Sequence, residues 1–181
     1  LEKAGDFETA LHETLRETIR DHKRIIFNGN GYDDAWLKEA VEKRGLLNYR
    51  TTPDCIPHLL DEKNVRMLTS HKVFSEAELR SRCEILLDNY CKTVLIEANT
   101  MIDMARREIA HTAAAKKAVD SSLSCGYETE LLKKLAMLED QIVIRSEELQ
   151  EAVLEIQDIG DIAEESRRIR DTVLGKMGQL R

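Results

Sequence analysis

The sequence predicts a mainly α protein: an antiparallel bundle of long helices, preceded by a short extended segment and a glycine-rich turn. No proline follows Pro57, and no glycine lies between Gly45 and Gly126, so long stretches lack the residues that interrupt helices. In the last third of the chain, apolar residues recur at alternating steps of four and three. That spacing is the heptad pattern of packed helices.

The first elements are a helix, an extended segment and a turn. Residues 6–22 predict an amphipathic helix, because apolar residues from Phe7 to Ile19 recur at three- and four-residue steps. Residues 24–27, Arg-Ile-Ile-Phe, are β-branched and aromatic and predict a short strand or extended segment. Residues 28–31, Asn-Gly-Asn-Gly, tolerate positive φ and predict a tight turn after it.

A second helix is predicted after the turn. Asp33 or Asp34 can cap it, and Gly45 can end it. Residues 46–57 are the least regular region of the sequence, and a short helix around Val65 is expected after them.

The longest predicted helix begins at a capping box, Ser75-Glu76-Ala77-Glu78, and extends to about Asp120. Phe74 and Leu79 are placed as a hydrophobic staple at its start. Its predicted apolar stripe consists of Leu79, Cys83, Leu86, Tyr90, Val94, Ala98, Met101 and Ala105.

Two further breaks divide the rest of the chain. Residues 121–126, Ser-Ser-Leu-Ser-Cys-Gly, predict a reversal, and Gly160 predicts a second turn that Asp161 can recap. The heptad positions are Leu131, Leu135, Leu138, Ile142, Arg145, Leu149, Ala152, Ile156, Ile159, Ala163, Ser166, Arg170, Val173, Met177 and Leu180, of which Arg145, Ser166 and Arg170 are imperfect. The helical segments 75–120, 127–159 and 161–181 therefore predict the bundle, with residues 1–74 as a first domain and 75–181 as a second.

Charge and cysteine content restrict the function classes. A formal charge of −7 and a pI near 5.4 argue against nucleic-acid binding, which requires a concentrated basic face. The chain has no stretch of apolar residues long enough for a membrane span and does not begin like a signal peptide, so we expect a soluble, cytoplasmic protein that does not bind membranes. Its four cysteines lack CxxC spacing, which indicates reduced thiols with a packing role. The absence of an initiator Met indicates part of a longer chain.

The turn at Gly29–Tyr32 is the most unusual motif. A glycine turn before a helix can cradle an anion with backbone N–H groups, so a nucleotide site is one interpretation and a purely structural turn is the other. No Lys-Ser or Lys-Thr pair follows, as a phosphate loop would require. A calcium loop fails as well, because Asp33 stands where that loop needs glycine.

The other candidate ligands have a structural interpretation beside the functional one. Cys55 and His58 have the spacing of half a zinc site, without a second pair of ligands nearby. Glu84 and Asp88 could share a cation or form helical salt bridges. The remaining candidates are the scattered histidines His12, His22, His71 and His111, the acids Glu97, Asp103 and Glu108, and the methionines Met101 and Met104. In the simpler interpretation, the two methionines fill the core.

Several segments resemble the C-terminal portion of type III glutamine synthetases. They are His22-Lys-Arg-Ile-Ile-Phe-Asn-Gly-Asn-Gly-Tyr32, Thr51-Thr-Pro-Asp54, Val73-Phe-Ser-Glu-Ala-Glu-Leu79, Arg82-Cys-Glu-Ile-Leu-Leu-Asp-Asn-Tyr-Cys-Lys-Thr93, Ile96-Glu-Ala98 and Met101-Ile-Asp-Met-Ala105. The resemblance covers residues 1–110 in order, and from Ala110 onward it is one of helical character only.

The resemblance implies a parent enzyme that joins glutamate and ammonia with ATP and Mg²⁺ or Mn²⁺, as a homo-oligomer. In that family, metal-binding glutamates and phosphate-binding arginines lie on a sheet-based catalytic domain, and none of them matches a residue here. We therefore assign no catalytic, cofactor-binding or metal-binding residue to this chain. The leading hypothesis is a non-catalytic helical domain that packs on an upstream catalytic domain and helps assembly. The alternative is a free-standing helical module for oligomerisation or partner binding.

Overall fold

The computed structural model describes residues 6–120 and 126–181. In these ranges every regular element is helical, and the mainly α prediction is confirmed. None of the helices described is both long enough and apolar enough to cross a membrane. The chain forms two compact units, Leu1–Tyr49 and Arg50–Arg181, which we call unit 1 and unit 2. The predicted division of the chain into a first domain of residues 1–74 and a second of residues 75–181 stays a prediction.

The described part of unit 1, from residue 6 onward, contains two α-helices. Helix α1, Phe7–His22, begins at Asp6, whose carboxylate accepts the backbone N–H of Glu8 at 3.2 Å. Helix α2, Asp34–Lys38, is capped by Asp33 and widens into a π-helical turn, Glu39–Lys43. Gly45 then ends it with a φ of 61°, a conformation that favours glycine. The predicted start and end of both helices are confirmed.

The sequence predicted a short strand or an extended segment at residues 24–27, and no strand forms there. Lys23–Ile25 form one 3₁₀ turn, and Ile26 after it has extended angles, with φ −84° and ψ 120°. Strands need a neighbour for their backbone groups, and the described part of unit 1 offers none. The guanidinium of Arg44 donates instead to the carbonyls of Ile26, at 2.7 Å, and Arg24, at 3.3 Å.

Unit 2 begins with short helices. These are α3, Thr52–Cys55, a 3₁₀ segment, Ile56–Leu60, and α4, Glu62–Ser70. The region expected to be least regular is thus partly helical, with Pro53 in the first turn of α3, where its missing N–H costs no hydrogen bond.

Three long segments follow. The first consists of α5, Glu76–Met104, a π-helical turn, Ala105–Ala110, and α6, His111–Asp120; the second is α7, Gly126–Ile156; the third consists of α8, Ile162–Arg168, a π-helical turn, Ile169–Val173, and α9, Leu174–Leu180. The capping box at Ser75 and the recapping by Asp161 are confirmed; Asp161 accepts the backbone N–H of Glu164 at 2.7 Å. The predicted reversal at residues 121–125, with Cys125, lies outside the described residues.

The first and second long segments are antiparallel, as the contacts between them show. Lys117 pairs with Glu139, and the Arg106 guanidinium lies 3.3 Å from the Ser146 hydroxyl oxygen. The residue numbers of α6 and α5 therefore decrease in the direction in which those of α7 increase. Their shared core comprises Cys91, Val94, Ala98 and Ile102 of α5, Leu149, Ala152, Val153 and Ile156 of α7, and Ile169 and Val173 of the third segment.

The predicted stripe of α5 is wrong at one position and incomplete at others. Leu87 is buried, whereas Leu86 is 42% exposed; Cys91 and Ile102 are buried as well. The start of α5 packs on the 3₁₀ segment, where the Cys83 thiol lies 3.7 Å from the Ile56 carbonyl oxygen. Farther along, α5 packs on α7 and α8, so the buried face rotates around the helix with the change of neighbour.

Candidate functional site

The glycine turn in unit 1 supports an aromatic stack. The rings of Phe27 and Trp36 are parallel within 14°, with centroids 3.7 Å apart, and the Arg44 guanidinium carbon lies 4.9 Å from the Trp36 centroid. Glu39 holds that guanidinium through two hydrogen bonds of 2.8 and 2.9 Å. A Cβ at Gly29 would overlap the Phe27 ring. Gly29 therefore has a packing role, which supports the structural interpretation of the turn.

The backbone of the turn is engaged locally. The amide N–H of Tyr32 donates to the side-chain oxygen of Asn30 at 3.1 Å, while the Tyr32 side chain is fully exposed. The anion-binding interpretation of Gly29–Tyr32 stays a prediction.

Replacing Gly29 with alanine is expected to displace Phe27 from Trp36, because the new methyl group occupies the position of the ring. Loss of an aromatic pair costs about 0.5–1.5 kcal/mol. Trp36 is the single tryptophan of the chain, so its fluorescence reports the change directly. Gly31→Ala is the matched control, since nothing lies within 4 Å of a Cβ at that position. Identical Trp36 spectra in the two variants would contradict the packing role of Gly29.

The residues considered as metal ligands do not converge. His58 contacts Asp61, with 2.9 Å between Nδ1 and Oδ2, and Cys55 is exposed. No group of three His, Cys, Asp or Glu side chains within residues 6–120 and 126–181 is placed to hold a metal ion. Cys83 and Cys91 are buried thiols, and burial raises the pKa of Cys91 to about 11, which fits the predicted packing role.

Two of the candidate ligand acids on α5 form helical salt bridges. Asp88 pairs with Lys92 at 2.6 Å and Asp103 with Arg107 at 2.7 Å, each at a spacing of four residues. The salt-bridge interpretation therefore accounts for these carboxylates, whereas Glu97 lies in a groove described below.

The imperfect heptad positions have specific partners. Ser166 is buried, and its hydroxyl donates to the Ala163 carbonyl at 3.0 Å. Arg170 forms ion pairs with Asp54 of α3 and with Asp171, and its hydrogen bond lowers the pKa of Asp171. Asp54 and Arg170 are 116 residues apart in sequence, so helical spacing could not have revealed this pair.

Glu165 of α8 gives the bundle a pH dependence. Burial raises the pKa of its carboxyl, and the nearby Asp88 raises it further, against a smaller opposing effect of Lys92. The native state therefore binds this proton more tightly than the unfolded chain, so this carboxyl makes the fold less stable as pH rises through its folded pKa.

The Glu165→Gln variant is expected to be more stable than the unaltered chain at pH 7, because it removes the cost of ionising a partly buried acid. The difference should shrink as pH falls below about 4, where the unfolded carboxyl is also protonated. Urea midpoints at both pH values measure it. A difference that is independent of pH would contradict this assignment.

Helix α1 presents an uncovered apolar face. None of its residues is buried, and Phe7, Leu15 and Ile19 are 61, 52 and 56% exposed. These residues share one side of the helix, since together with Leu11 they lie at four-residue steps along the sequence. Such a face is typical of a helix that packs against another surface.

Unit 2 contains an apolar groove with a volume of about 850 Å³. Its walls come from the end of α5 with the following π-helical turn, from α7, and from α9. The lining includes Ile96, Glu97, Met101, Met104, Ile109, Leu138, Ile142, Arg145, Met177 and Leu180. The heptad pattern predicted that several of these residues pack inside the bundle. It did not predict that they line an open groove.

Comparison with known proteins matches residues of both units to one protein family. Residues 10–124 match the family model described as glutamine synthetase C-terminal domain. The chain is 34% identical over 190 residues to a glutamine synthetase of Butyrivibrio fibrisolvens, covering 98% of this chain and 27% of that protein.

Two further relatives agree. The type-3 glutamine synthetase of Dictyostelium discoideum is 37% identical over 102 residues, covering 56% of this chain and 14% of that protein. A glutamine synthetase of Bacteroides fragilis (strain YCH46) is 29% identical over 154 residues, covering 82% of this chain and 20% of that protein. The chain thus corresponds to a small part of longer relatives.

Proposed function

The chain belongs to the glutamine synthetase C-terminal domain family, and from this membership we propose that it is the helical, non-catalytic region of a type III glutamine synthetase. In this proposal it packs on an upstream catalytic domain of the same polypeptide and helps the enzyme assemble as a homo-oligomer in the cytoplasm. The parent protein would join glutamate and ammonia to form glutamine, with ATP and Mg²⁺ or Mn²⁺ bound outside this region. The relatives, of which this chain spans 27% or less, support a role within a larger enzyme.

The observation that carries the docking part is the uncovered apolar face of α1. Burial of apolar surface contributes about 25 cal/mol per Å², so an amphipathic helix with no buried residue gains stability from a partner surface. We assign that face to the catalytic domain, because α1 precedes the bundle in the sequence and lies in the smaller unit.

The non-catalytic part is supported by the positions of the charged side chains. Asp88, Asp103 and Arg107 form helical salt bridges, and Arg170 links two elements of unit 2. These pairs stabilise and connect helices, which is a structural use of charge.

An activity assay tests the non-catalytic part. The purified chain, given glutamate, ammonia, ATP and Mg²⁺, is expected to form no glutamine. Turnover above a blank without protein would contradict this part of the proposal.

Co-purification tests the docking part. The catalytic portion of the Butyrivibrio fibrisolvens glutamine synthetase, lacking the part that aligns with this chain, is co-expressed with the unaltered chain or a variant. We expect the unaltered chain to co-purify and Leu15→Asp to reduce recovery at least tenfold, because a carboxylate then enters the apolar contact. Arg16→Asp adds the same acid at the next residue, which lies about 100° around α1, and is expected to co-purify normally. Equal recovery of both variants, or no recovery of the unaltered chain, would contradict docking through α1.

A further inference from the structure

The glycine turn contains two asparagine–glycine pairs in succession, Asn28-Gly29 and Asn30-Gly31. All four residues are exposed and lie outside the helices. An asparagine followed by glycine is chemically suited to deamidation, because the backbone nitrogen of a residue without a Cβ can approach the preceding carboxamide freely. The sequence offers this reaction equally to both pairs, and the structure distinguishes them.

Two hydrogen bonds restrain Asn30. Its side-chain oxygen accepts the Tyr32 N–H at 3.1 Å, and its backbone carbonyl accepts the Asp33 N–H at 3.3 Å. For deamidation, the carboxamide carbon of Asn30 has to meet the Gly31 nitrogen, which turns the peptide group between the two residues. That rotation moves the Asn30 carbonyl away from Asp33, so the turn opposes the reaction at this position.

Asn28 is not restrained in this way. Within residues 6–120 and 126–181, no hydrogen bond engages its side chain, its backbone carbonyl or the N–H of Gly29. The carboxamide of Asn28 can therefore turn toward the Gly29 nitrogen without breaking a hydrogen bond within the protein.

We propose that Asn28 is a site of spontaneous deamidation and that the fold protects Asn30 from the same reaction. The Gly29 backbone nitrogen loses its proton to hydroxide and forms a bond to the side-chain carbonyl carbon of Asn28. The bond from that carbon to the side-chain nitrogen breaks, and the nitrogen takes up a proton and leaves as ammonia. Water then opens the resulting succinimide at either carbonyl, which gives aspartate or isoaspartate. Water is the only co-reactant consumed.

The isoaspartate product has a consequence for the aromatic stack. Its main chain runs through the former side chain, which adds one methylene between residue 28 and Gly29. Gly29 lies so close to the Phe27 ring that even a Cβ would overlap it. The longer backbone therefore displaces Gly29 or Phe27 and loosens the stack of Phe27 on Trp36.

Peptide mapping of the purified chain during incubation at mildly alkaline pH tests the proposal. Trypsin releases residues 25–38 as one peptide, because Arg24 and Lys38 flank a stretch without another basic residue. Fragment ions locate the gain of about 1 Da that accompanies replacement of an amide by an acid. Asn28 is expected to react about tenfold faster than Asn30, the factor that a net hydrogen bond of the turn imposes.

Two controls come from the same chain. Asn48 is exposed and outside the helices but is followed by tyrosine, so it should remain unmodified over the same period. In concentrated urea the hydrogen bonds of the turn are lost, and Asn28 and Asn30 should then react at nearly equal rates.

Trp36 fluorescence follows the effect on the stack. The spectrum of the unaltered chain should change in proportion to its isoaspartate content, which is measured by resistance to a protease that cleaves before aspartate. Asn28→Gln closes the ring far less readily and should keep its spectrum throughout. Freshly purified Asn28→Asp has the new charge without the extra methylene and should also keep the unaltered spectrum.

Equal rates at Asn28 and Asn30 in the folded chain, faster reaction at Asn30, or a rate difference that persists in urea would each overturn the inference. An unchanged spectrum in fully converted isoaspartyl chain, or a changed one in Asn28→Asp, would contradict the assigned effect of the methylene. These measurements use this chain without any catalytic region. They therefore leave the docking and activity tests of the proposed function unaffected.

Discussion

Replacing Ile156 with aspartate is expected to unfold unit 2, whereas the same change at Leu138 should leave it folded. Ile156 is 2% exposed among the core residues of α5, α7 and the third segment, while Leu138 is 46% exposed in the groove. Truncating a buried isoleucine costs about 2–5 kcal/mol, and burying an unpaired carboxylate adds several more. The sum is comparable to the whole stability of a domain, about 5–15 kcal/mol.

Far-UV circular dichroism and urea titration measure both variants. Both positions belong to the same heptad series in the sequence. Comparing the two variants therefore distinguishes heptads that pack inside one chain from heptads that pack only against another molecule. Retained helicity and an unchanged urea midpoint in Ile156→Asp would contradict the internal packing of α7.

Leu149→Ala is the second change with a large expected effect. Leu149 is fully buried against the α5 core, and truncation of such a leucine costs about 2–5 kcal/mol through lost transfer free energy and the cavity left behind. Leu154→Ala, on the same helix at 53% exposure, is the matched control and should cost less than about 1 kcal/mol. Urea unfolding at pH 7 gives both values. Equal destabilisation by the two changes would contradict the assigned buried face of α7.

Local chemistry accounts for what the sequence predicted well. Caps act within three residues, so Asp6, Asp33, Ser75 and Asp161 could be assigned to helix starts without knowing the fold. The antiparallel bundle likewise follows from breaker-free segments of heptad spacing.

The errors arise where distant segments decide the outcome. Leu86 and Leu87 are both apolar, and only the neighbours of α5 determine that Leu87 is buried. No strand forms at residues 24–27, because a strand needs a partner strand, and Arg44 supplies the hydrogen bonds there instead.

The candidate site was the harder part to predict. Sequence reasoning concentrated on ligand-like residues such as Cys55 and His58, which do not converge with other ligands in the described structure. It could not find the groove, because an open concavity depends on where α9 ends relative to α5 and α7. The heptad pattern gave Leu138 and Ile156 equal weight for the same reason.

The central claim is that this helical region works as part of a longer glutamine synthetase, attached to a catalytic domain. The most direct measurement is the nucleotide sequence of the gene upstream of the codon for Leu1. We expect an open reading frame in the same register that encodes a glutamine synthetase catalytic domain. A start codon immediately before Leu1, preceded by an in-frame stop, would contradict the claim.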